Sequence, residues 1–429
     1  MLPYSQNGSH MQNYGMIGVR NTFRTARRSQ GLLSLADQGI VSVGSFLVAL
    51  LMARGLPPAE FGVFSILLGI LITANTAHAS FIGIPLIVRS GRDEMAEQLS
   101  TVALGWSFLL TALFTMALVV ALLILARPGL LPWTVLALFG NQLQETLRRS
   151  LMGRLQFGRA IYGDSVSYFG QAIGVFWLVL RGRPSISGAF VAMGTTSLAA
   201  AGVQWCQVRP STDLRSLSRE IVEPFWRLGR ALIVINGIGS LTMQCFPWLL
   251  AAMHGVAEVG SFQALLTMIG FVNPLMLAMG SIVTARVAHI KQEDPGVRRH
   301  LEFDLARRYA VLGGVPLALY SAALVAAPTF ILREFYGRTS MYGLLSQDVR
   351  IFVFFAVAQY GYFVMAGILN ARQDTRSLLR AQIASAVTVP LIALPLIAFG
   401  SLTGALLGIS ISAAVRLAVA VRGVAGPVS

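Results

Sequence analysis

The chain alternates between long apolar runs and short polar stretches rich in arginine. The runs lie near 31–53, 61–88, 99–126, 130–151, 160–180, 186–207, 229–253, 257–285, 305–332, 349–370, 377–399 and 401–421. A helix needs about 20 mostly apolar residues to cross a bilayer. The pattern therefore predicts an all-α polytopic membrane protein with about twelve transmembrane helices. The last two runs meet at Gly400 with almost no loop between them.

Composition agrees with this reading. Apolar residues make up 55% of the 429 positions and charged residues 12%, where a soluble domain carries about 25% charged residues. Hydrocarbon does not solvate charge, so a lipid-facing surface is stripped of it. The 42 glycines suit helices that approach closely in a bilayer. The net charge of +15 does not point to nucleic acid, because the basic residues fall between apolar runs and form no continuous patch. Lys291 is the one lysine. Cys206 and Cys245 are far apart, form neither a redox nor a metal-ligand spacing, and read as small buried hydrophobes.

The basic residues also orient the chain. With the N-terminus placed in the cytoplasm, all of the 33 Lys and Arg fall on that side except Arg54, Arg127, Arg181, Arg183, Arg333, Arg338 and Arg350. Cytoplasmic loops carry such an excess. An even number of crossings with both termini inside follows. Residues 1–30 have no apolar core before a cleavage site and read as a cytoplasmic tail rather than a signal peptide.

The sequence also repeats itself. Residues 33–89 align without gaps on 231–287, pairing Ala59-Glu60-x-Gly62-x-Phe64 with Ala257-Glu258-x-Gly260-x-Phe262, and Asn75 with Asn273. Further on, Gln142 pairs with Gln359, Gln156 with Gln373 and Arg159 with Arg376, after an insertion in the second half. Two six-helix repeats share one orientation, so an axis along the membrane normal relates them, as in transporters whose halves rock about a central cavity. The expected division is a tail at 1–30, a six-helix bundle at 31–207, a cytoplasmic linker at 208–228, a second bundle at 229–422 and a tail at 423–429. The linker reads equally as an amphipathic surface helix or a solvated connection.

The first span and its exit carry a recognisable pattern: Asp37-Gln38-Gly39 inside an apolar run, then Ala53-Arg54-Gly55-Leu56-Pro57-Pro58-Ala59-Glu60-Phe61-Gly62 and Phe64. This resembles the opening of the bacterial O-antigen and exopolysaccharide flippases of the multidrug/oligosaccharidyl-lipid/polysaccharide superfamily. The resemblance implies a multi-pass protein of the bacterial inner membrane that moves undecaprenyl-diphosphate-linked oligosaccharide to the outer leaflet for surface polysaccharide biosynthesis. It implies no bond chemistry, no catalytic residues and no cofactor. Its implied partners are the lipid-linked substrate, membrane lipids, a polysaccharide polymerase and the export machinery.

Candidate residues follow from polar groups inside spans, which are costly there and tend to face a cavity or a partner. Asp37 is the acid inside the first span: it carries a coupling proton or cation, pairs with an arginine, or sits at the interface. Asn75 and His78 share a helix face. With Asn273, the repeat mate of Asn75, they suit sugar hydroxyls or serve as hydrogen-bonded glue between helices. Pro274 is expected to disrupt the eighth helix. Arg89 and Arg286 end the second and eighth spans, where they offer a diphosphate bidentate donors or act as surface anchors. The fourth span ends in Asn141, Gln142, Gln144, Glu145, Arg148 and Arg149, a polar end that suits an inner vestibule. Gln359 is the mate of Gln142.

No P-loop glycine pattern and no metal-ligand cluster occurs in the sequence. Three alternatives stand: a drug/cation antiporter of the same superfamily, a flippase for lipid-linked peptidoglycan precursor, and a membrane-embedded polysaccharide polymerase or glycosyltransferase. An antiporter favours acidic cavities. The enzyme class carries long extramembrane loops, and the outer stretch 333–348 is short.

Overall fold

A computed structural model describes residues 33, 36–90, 96–210, 219–290, 294–338 and 340–426. They are helical almost throughout and contain no strand. Twelve helical segments follow in chain order. The first half holds α1 (Ala36–Gly55), α2 (Pro58–Arg89), α3 (Ala96–Ile124), α4 (Leu131–Gly153), α5 (157–180) and α6 (Ile186–Val208). The second holds α7 (Arg219–His254), α8 (256–287), α9 (Pro295–Ala326), α10 (Ser346–Ala371), α11 (375–400) and α12 (401–425). A short helix, Pro328–Tyr336, follows α9.

By length and apolarity alone, 8 helices qualify as spans among the described residues, or 9 with the bent pair in α8. The difference from twelve has two causes. Thr375–Ala425 counts as one stretch, yet the chain reverses within it at Ser401, whose φ of 48° and ψ of −127° are not helical. Segments α4 and α5 are diluted by Gln142, Gln144, Glu145, Arg148, Arg149 and Asp164, all of which lie on helices.

Local chemistry sets the breaks. Pro57 and Pro58 separate α1 from α2, with Pro58 at the first helical position, where its missing N–H and fixed φ do no harm. Ser185 caps α6 by accepting from the Gly188 amide at 3.1 Å, and Asp294 caps α9 by accepting from the Gly296 and Val297 amides. The two pieces of α8, Val256–Gly270 and Asn273–Val287, meet at a 52° bend; the second piece begins with Asn273-Pro274, as the proline predicts. The helix of α7 already begins at Arg219, inside the stretch expected to be linker, while 211–218 and the tail 1–30 lie outside the described residues.

The helix ends pair off into two levels. At one, Arg154 after α4 donates to the Val208 carbonyl of α6 at 3.3 Å, and Arg372 after α10 donates to Val424 of α12 at 2.9 Å. Asp37 at the start of α1 lies at this level, called here the terminal end. At the opposite end, Arg54 reaches the Glu334 and Phe335 carbonyls, Arg127 pairs with Glu60, and His254 meets the Ile397 carbonyl at 2.7 Å.

The halves pack alike: α4 lies chiefly on α6, α10 on α12, and α2 meets α8 between the halves. One apolar core runs through both, with Phe61, Phe64, Phe190, Phe246 and Phe262 fully buried. Large apolar side chains such as Leu113, Met116, Leu319, Phe354 and Phe399 stand on the outside, the surface expected of a protein that faces lipid rather than water. The chain is a multi-pass membrane protein.

Candidate functional site

Two polar regions are built inside this apolar body, one per half. In the first half, α4 supplies most of the groups. Its polar face turns inward because the opposite α4 face packs on α6, where Gly194 lies so close to Leu136 that a Cβ there would stand 2.7 Å from the Leu136 side chain. Arg148, only 4% exposed, donates from Nη2 to Asp37 of α1 at 2.6 Å and from Nη1 to Glu145 at 3.0 Å. Its Nε lies 2.5 Å from Asp164 of α5. Asp164 also accepts from Gln144 at 3.2 Å, and Arg149 donates to Glu145 at 2.6 Å. Three carboxylates therefore share two guanidinium groups in a buried knot. In a low dielectric such charges hold one another strongly, and losing one partner strands the others.

A neutral chain continues from the knot. The Thr146 hydroxyl donates to the Gln142 carbonyl at 2.8 Å, which leaves it to accept from His78 Nε2 at 2.8 Å. The Gln142 amide in turn donates to Asn75 at 3.0 Å. Asp37, Asn75, His78, Gln142, Arg148 and Arg149, six sequence candidates, thus come together in one region. They face each other rather than open space: His78 is 0% and Asp37 1% exposed. Asp164, which sequence reasoning missed, completes the set; an acid inside the apolar run 160–180 was the available signal.

The second half differs. A cavity of about 640 Å³ lies between α2, α7, α8, α10, α11 and α12, toward the terminal end. Its polar lining comes from amides and hydroxyls, among them Asn236, Ser240, Asn273, Thr284, Gln359, Asn370 and Gln382. Asn273 and Gln359 were sequence candidates. Arg416 of α12 is the one charged side chain among the described lining residues, and no carboxylate is among them. It was not foreseen, although a lone arginine inside the final apolar run is itself a signal.

Arg416 donates to Gln359 Oε1, and its guanidinium carbon sits 4.4 Å from the centroid of the Tyr362 ring. Gln382 donates to the Tyr362 hydroxyl at 3.1 Å. The repeat mates diverge here: Asn75 is hydrogen-bonded inside the first-half network, whereas Asn273 lines the cavity. Arg89 lies in the last turn of α2 and Arg286 in the last turn of α8. Neither lines the cavity, and Arg286 is exposed.

A second space adjoins the first. An almost wholly apolar groove of about 730 Å³ runs between α2, α3, α7 and α11, lined among others by Leu113, Ala117, Val120, Leu241, Trp248 and Leu394. It lies toward the opposite end. Gln244 lines both spaces. It packs on Gly69, where a Cβ would lie 2.5 Å from Gln244 Oε1, so the bare glycine gives the Gln244 amide its place between the two spaces. No group of three or more His, Cys, Asp or Glu capable of holding a metal ion occurs among the described residues.

No family model and no curated protein sequence matches the chain. Solved structures do. An inward-facing multidrug resistance MATE transporter of the MOP superfamily superposes with a TM-score of 0.73 at 15% identity, over 90% of this chain and 94% of that one. The lipid II flippase MurJ in an inward closed conformation gives 0.71 at 12% identity, over 92% and 87%. A MOP superfamily transporter from Pyrococcus furiosus, described by the reverse polarity of its binding pocket, gives 0.61 at 13% identity, over 93% and 94%. At such identities the likeness is one of fold: the chain has the fold of the MOP superfamily transporters.

Proposed function

We propose that this protein is a flippase that carries undecaprenyl-diphosphate-linked oligosaccharide across the bacterial inner membrane for surface polysaccharide biosynthesis, by alternating access of the cavity that the second half encloses with α2. One observation carries the reading: a cavity lined by amides and hydroxyls adjoins, at Gln244, a groove that is almost wholly apolar. A hydroxyl-rich, charged head suits the first space and a hydrocarbon chain the second. Sugars and a diphosphate cannot cross hydrocarbon unaided, whereas the attached lipid stays in it. The cavity size lies within the range of ordinary ligand sites, roughly 300–1,000 Å³, so it takes the diphosphate and first sugars while the rest of a longer glycan extends toward the terminal end.

In this reading the terminal end faces the cytoplasm, where most arginines lie. Arg89 and Arg286 meet the phosphates of incoming lipid at that surface, and Asn273 and Gln359 bind sugar hydroxyls. Asp37, in the charged knot of the first half, is the group through which an ion gradient acts. The expected partners are the lipid-linked substrate, bilayer lipids and a polysaccharide polymerase with its export machinery.

A flippase for lipid-linked peptidoglycan precursor is the second reading, favoured by the likeness to a lipid II flippase; its substrate shares the diphosphate-and-sugar chemistry. A cation antiporter is disfavoured because no carboxylate is among the described residues that line the cavity.

The test is transport by purified protein in proteoliposomes. Diphosphate-linked oligosaccharide lipids should reach the far leaflet, read by a lectin that cannot cross the membrane, faster than in protein-free vesicles. Movement of cationic dyes in exchange for protons, with no movement of the sugar lipid, would replace the flippase with an antiporter.

A further inference from the structure

The cavity holds a cation with no counter-ion among the described residues. Arg416 is only 6% exposed and forms no ion pair among the described residues. A charged side chain inside a membrane is costly, and such residues generally pair or serve a passage. In the first half, Arg148 illustrates the paired solution, with three carboxylates around it. Among the described residues Arg416 contacts neutral groups: the Gln359 amide oxygen and the face of Tyr362. Its Nε is buried with no hydrogen-bond partner, as is Gln382 Oε1 nearby. The guanidinium is therefore desolvated, held in place and unsatisfied in charge.

We propose that Arg416 is the seat of an anionic headgroup, and that the anion is the diphosphate of a polyprenyl-linked ligand. The inference rests on the flippase reading and adds the residue that recognises the substrate's charge. A guanidinium offers five donors in a planar fork that matches phosphate oxygens. Gln359 uses its Oε1 to accept from Arg416, so its amide nitrogen remains a second donor on the cavity wall. Together they present charge and hydrogen bonds side by side. The Tyr362 ring face holds the guanidinium by a cation–π contact, which does not consume its donors. Gly239 of α7 has no side chain, and a Cβ there would stand 2.9 Å from the Gln382 amide; Gln382 packs into that space beside Tyr362. The groove that meets the cavity at Gln244 is on hand for the chain attached to that diphosphate.

Binding by the purified full chain in detergent tests this, with farnesyl diphosphate, farnesyl monophosphate, farnesol and inorganic diphosphate as probes. The wild type should bind farnesyl diphosphate at least about tenfold more tightly than farnesol, since hydrogen bonds to charged groups are worth about 1.5–3 kcal/mol. Added inorganic diphosphate should displace it. Arg416→Gln should abolish the preference for the diphosphate while binding farnesol unchanged, and Arg416→Lys should keep part of it. Equal wild-type binding of diphosphate and alcohol overturns the seat, whatever the variants do. So does an Arg416→Gln protein that keeps the full preference. Displacement by inorganic diphosphate needs no variant, so the proposal stays testable if Arg416→Gln does not fold. Proteoliposome transport separates the two proposals. Sugar lipid moved equally by wild type and Arg416→Gln removes the seat and leaves the flippase; diphosphate selectivity with no sugar lipid moved removes the flippase and leaves the seat.

Discussion

Gly62 of α2 rests on the backbone carbonyl of Val256, and Gly260 of α8 rests on the backbone carbonyl of Pro58. Each glycine is the repeat mate of the other, and so is each carbonyl-bearing residue. The contact is therefore self-reciprocal, as an axis passing between α2 and α8 requires. A Cβ at either position would overlap the facing oxygen, so two backbones meet here with nothing between them, a mode of close approach that glycine permits in membranes. The crossing lies near the starts of both helices, at the opposite end from the cavity.

This crossing predicts a locked or opened state. Replacing Gly62 or Gly260 with Leu should force the halves apart at the opposite end. Cysteines placed there should become accessible to membrane-impermeant thiol reagents, and the melting temperature should fall by an amount consistent with overpacking, about 1–3 kcal/mol. Accessibility unchanged from the parent would show that the halves do not separate at this point.

The charged knot predicts a large and asymmetric stability effect. Arg148→Leu leaves Asp37 and Asp164 buried without their guanidinium partner, while Glu145 keeps Arg149, and should cost about 3–5 kcal/mol. Adding Asp37→Asn to that variant should recover part of the loss, because one stranded charge is removed. A thermal double-mutant cycle in detergent measures this; strictly additive losses would mean the two groups do not interact in the folded protein.

A second clasp holds the terminal end of the other half. Glu302, 0% exposed, accepts from Arg298 at 3.0 Å and from Arg372 at 2.7 Å. Glu302→Gln should leave Arg372 without its counter-charge and destabilise the fold by about 3 kcal/mol. Because the site lies away from the cavity wall, ligand selectivity should stay unchanged in the folded fraction, as competitive binding would show.

The apolar groove predicts a selective block. Ala117 and Ala112 both stand exposed on α3, but only Ala117 lines the groove. Ala117→Trp should slow transport of a long-chain lipid-linked sugar at least about tenfold, as expected where a filled pocket excludes a chain worth about 0.8 kcal/mol per buried CH₂. Ala112→Trp should match the parent. Equal rates for all three proteins would leave the groove to ordinary bilayer lipid.

Topology is testable at two open sites. Gly129, between α3 and α4, and Gly158, at the start of α5, each have room for a side chain. In a background where Cys206 and Cys245, which the structure leaves exposed rather than buried as their apolar surroundings suggested, are replaced, Gly129→Cys should label from outside the cell and Gly158→Cys only after permeabilisation. Labelling of both from one side would contradict the alternation of the helices.

What could be read from the chain alone was the set of properties that depend on local composition. Runs of about twenty apolar residues make spans regardless of what surrounds them, Pro58 and Pro274 interrupt or start helices through their own rings, and the Ala-Glu-x-Gly-x-Phe repeat exposes the two halves. The candidate polar residues were also visible, because any polar group inside a span stands out against its neighbours. Their grouping was not. Arg148 and Asp37 are far apart in sequence and looked equally able to face a passage, yet the rotation of α4 against α1 and α5 joins them to Asp164 and seals them in. Arg416 was not singled out from the sequence, and packing of α12 on α10 sets it on Tyr362 at the cavity wall. Hydropathy decides which segments enter the bilayer; only the angles and contacts between packed helices, set where glycines such as Gly62 and Gly260 let backbones touch, decide which polar groups satisfy one another and which remain free to meet a ligand.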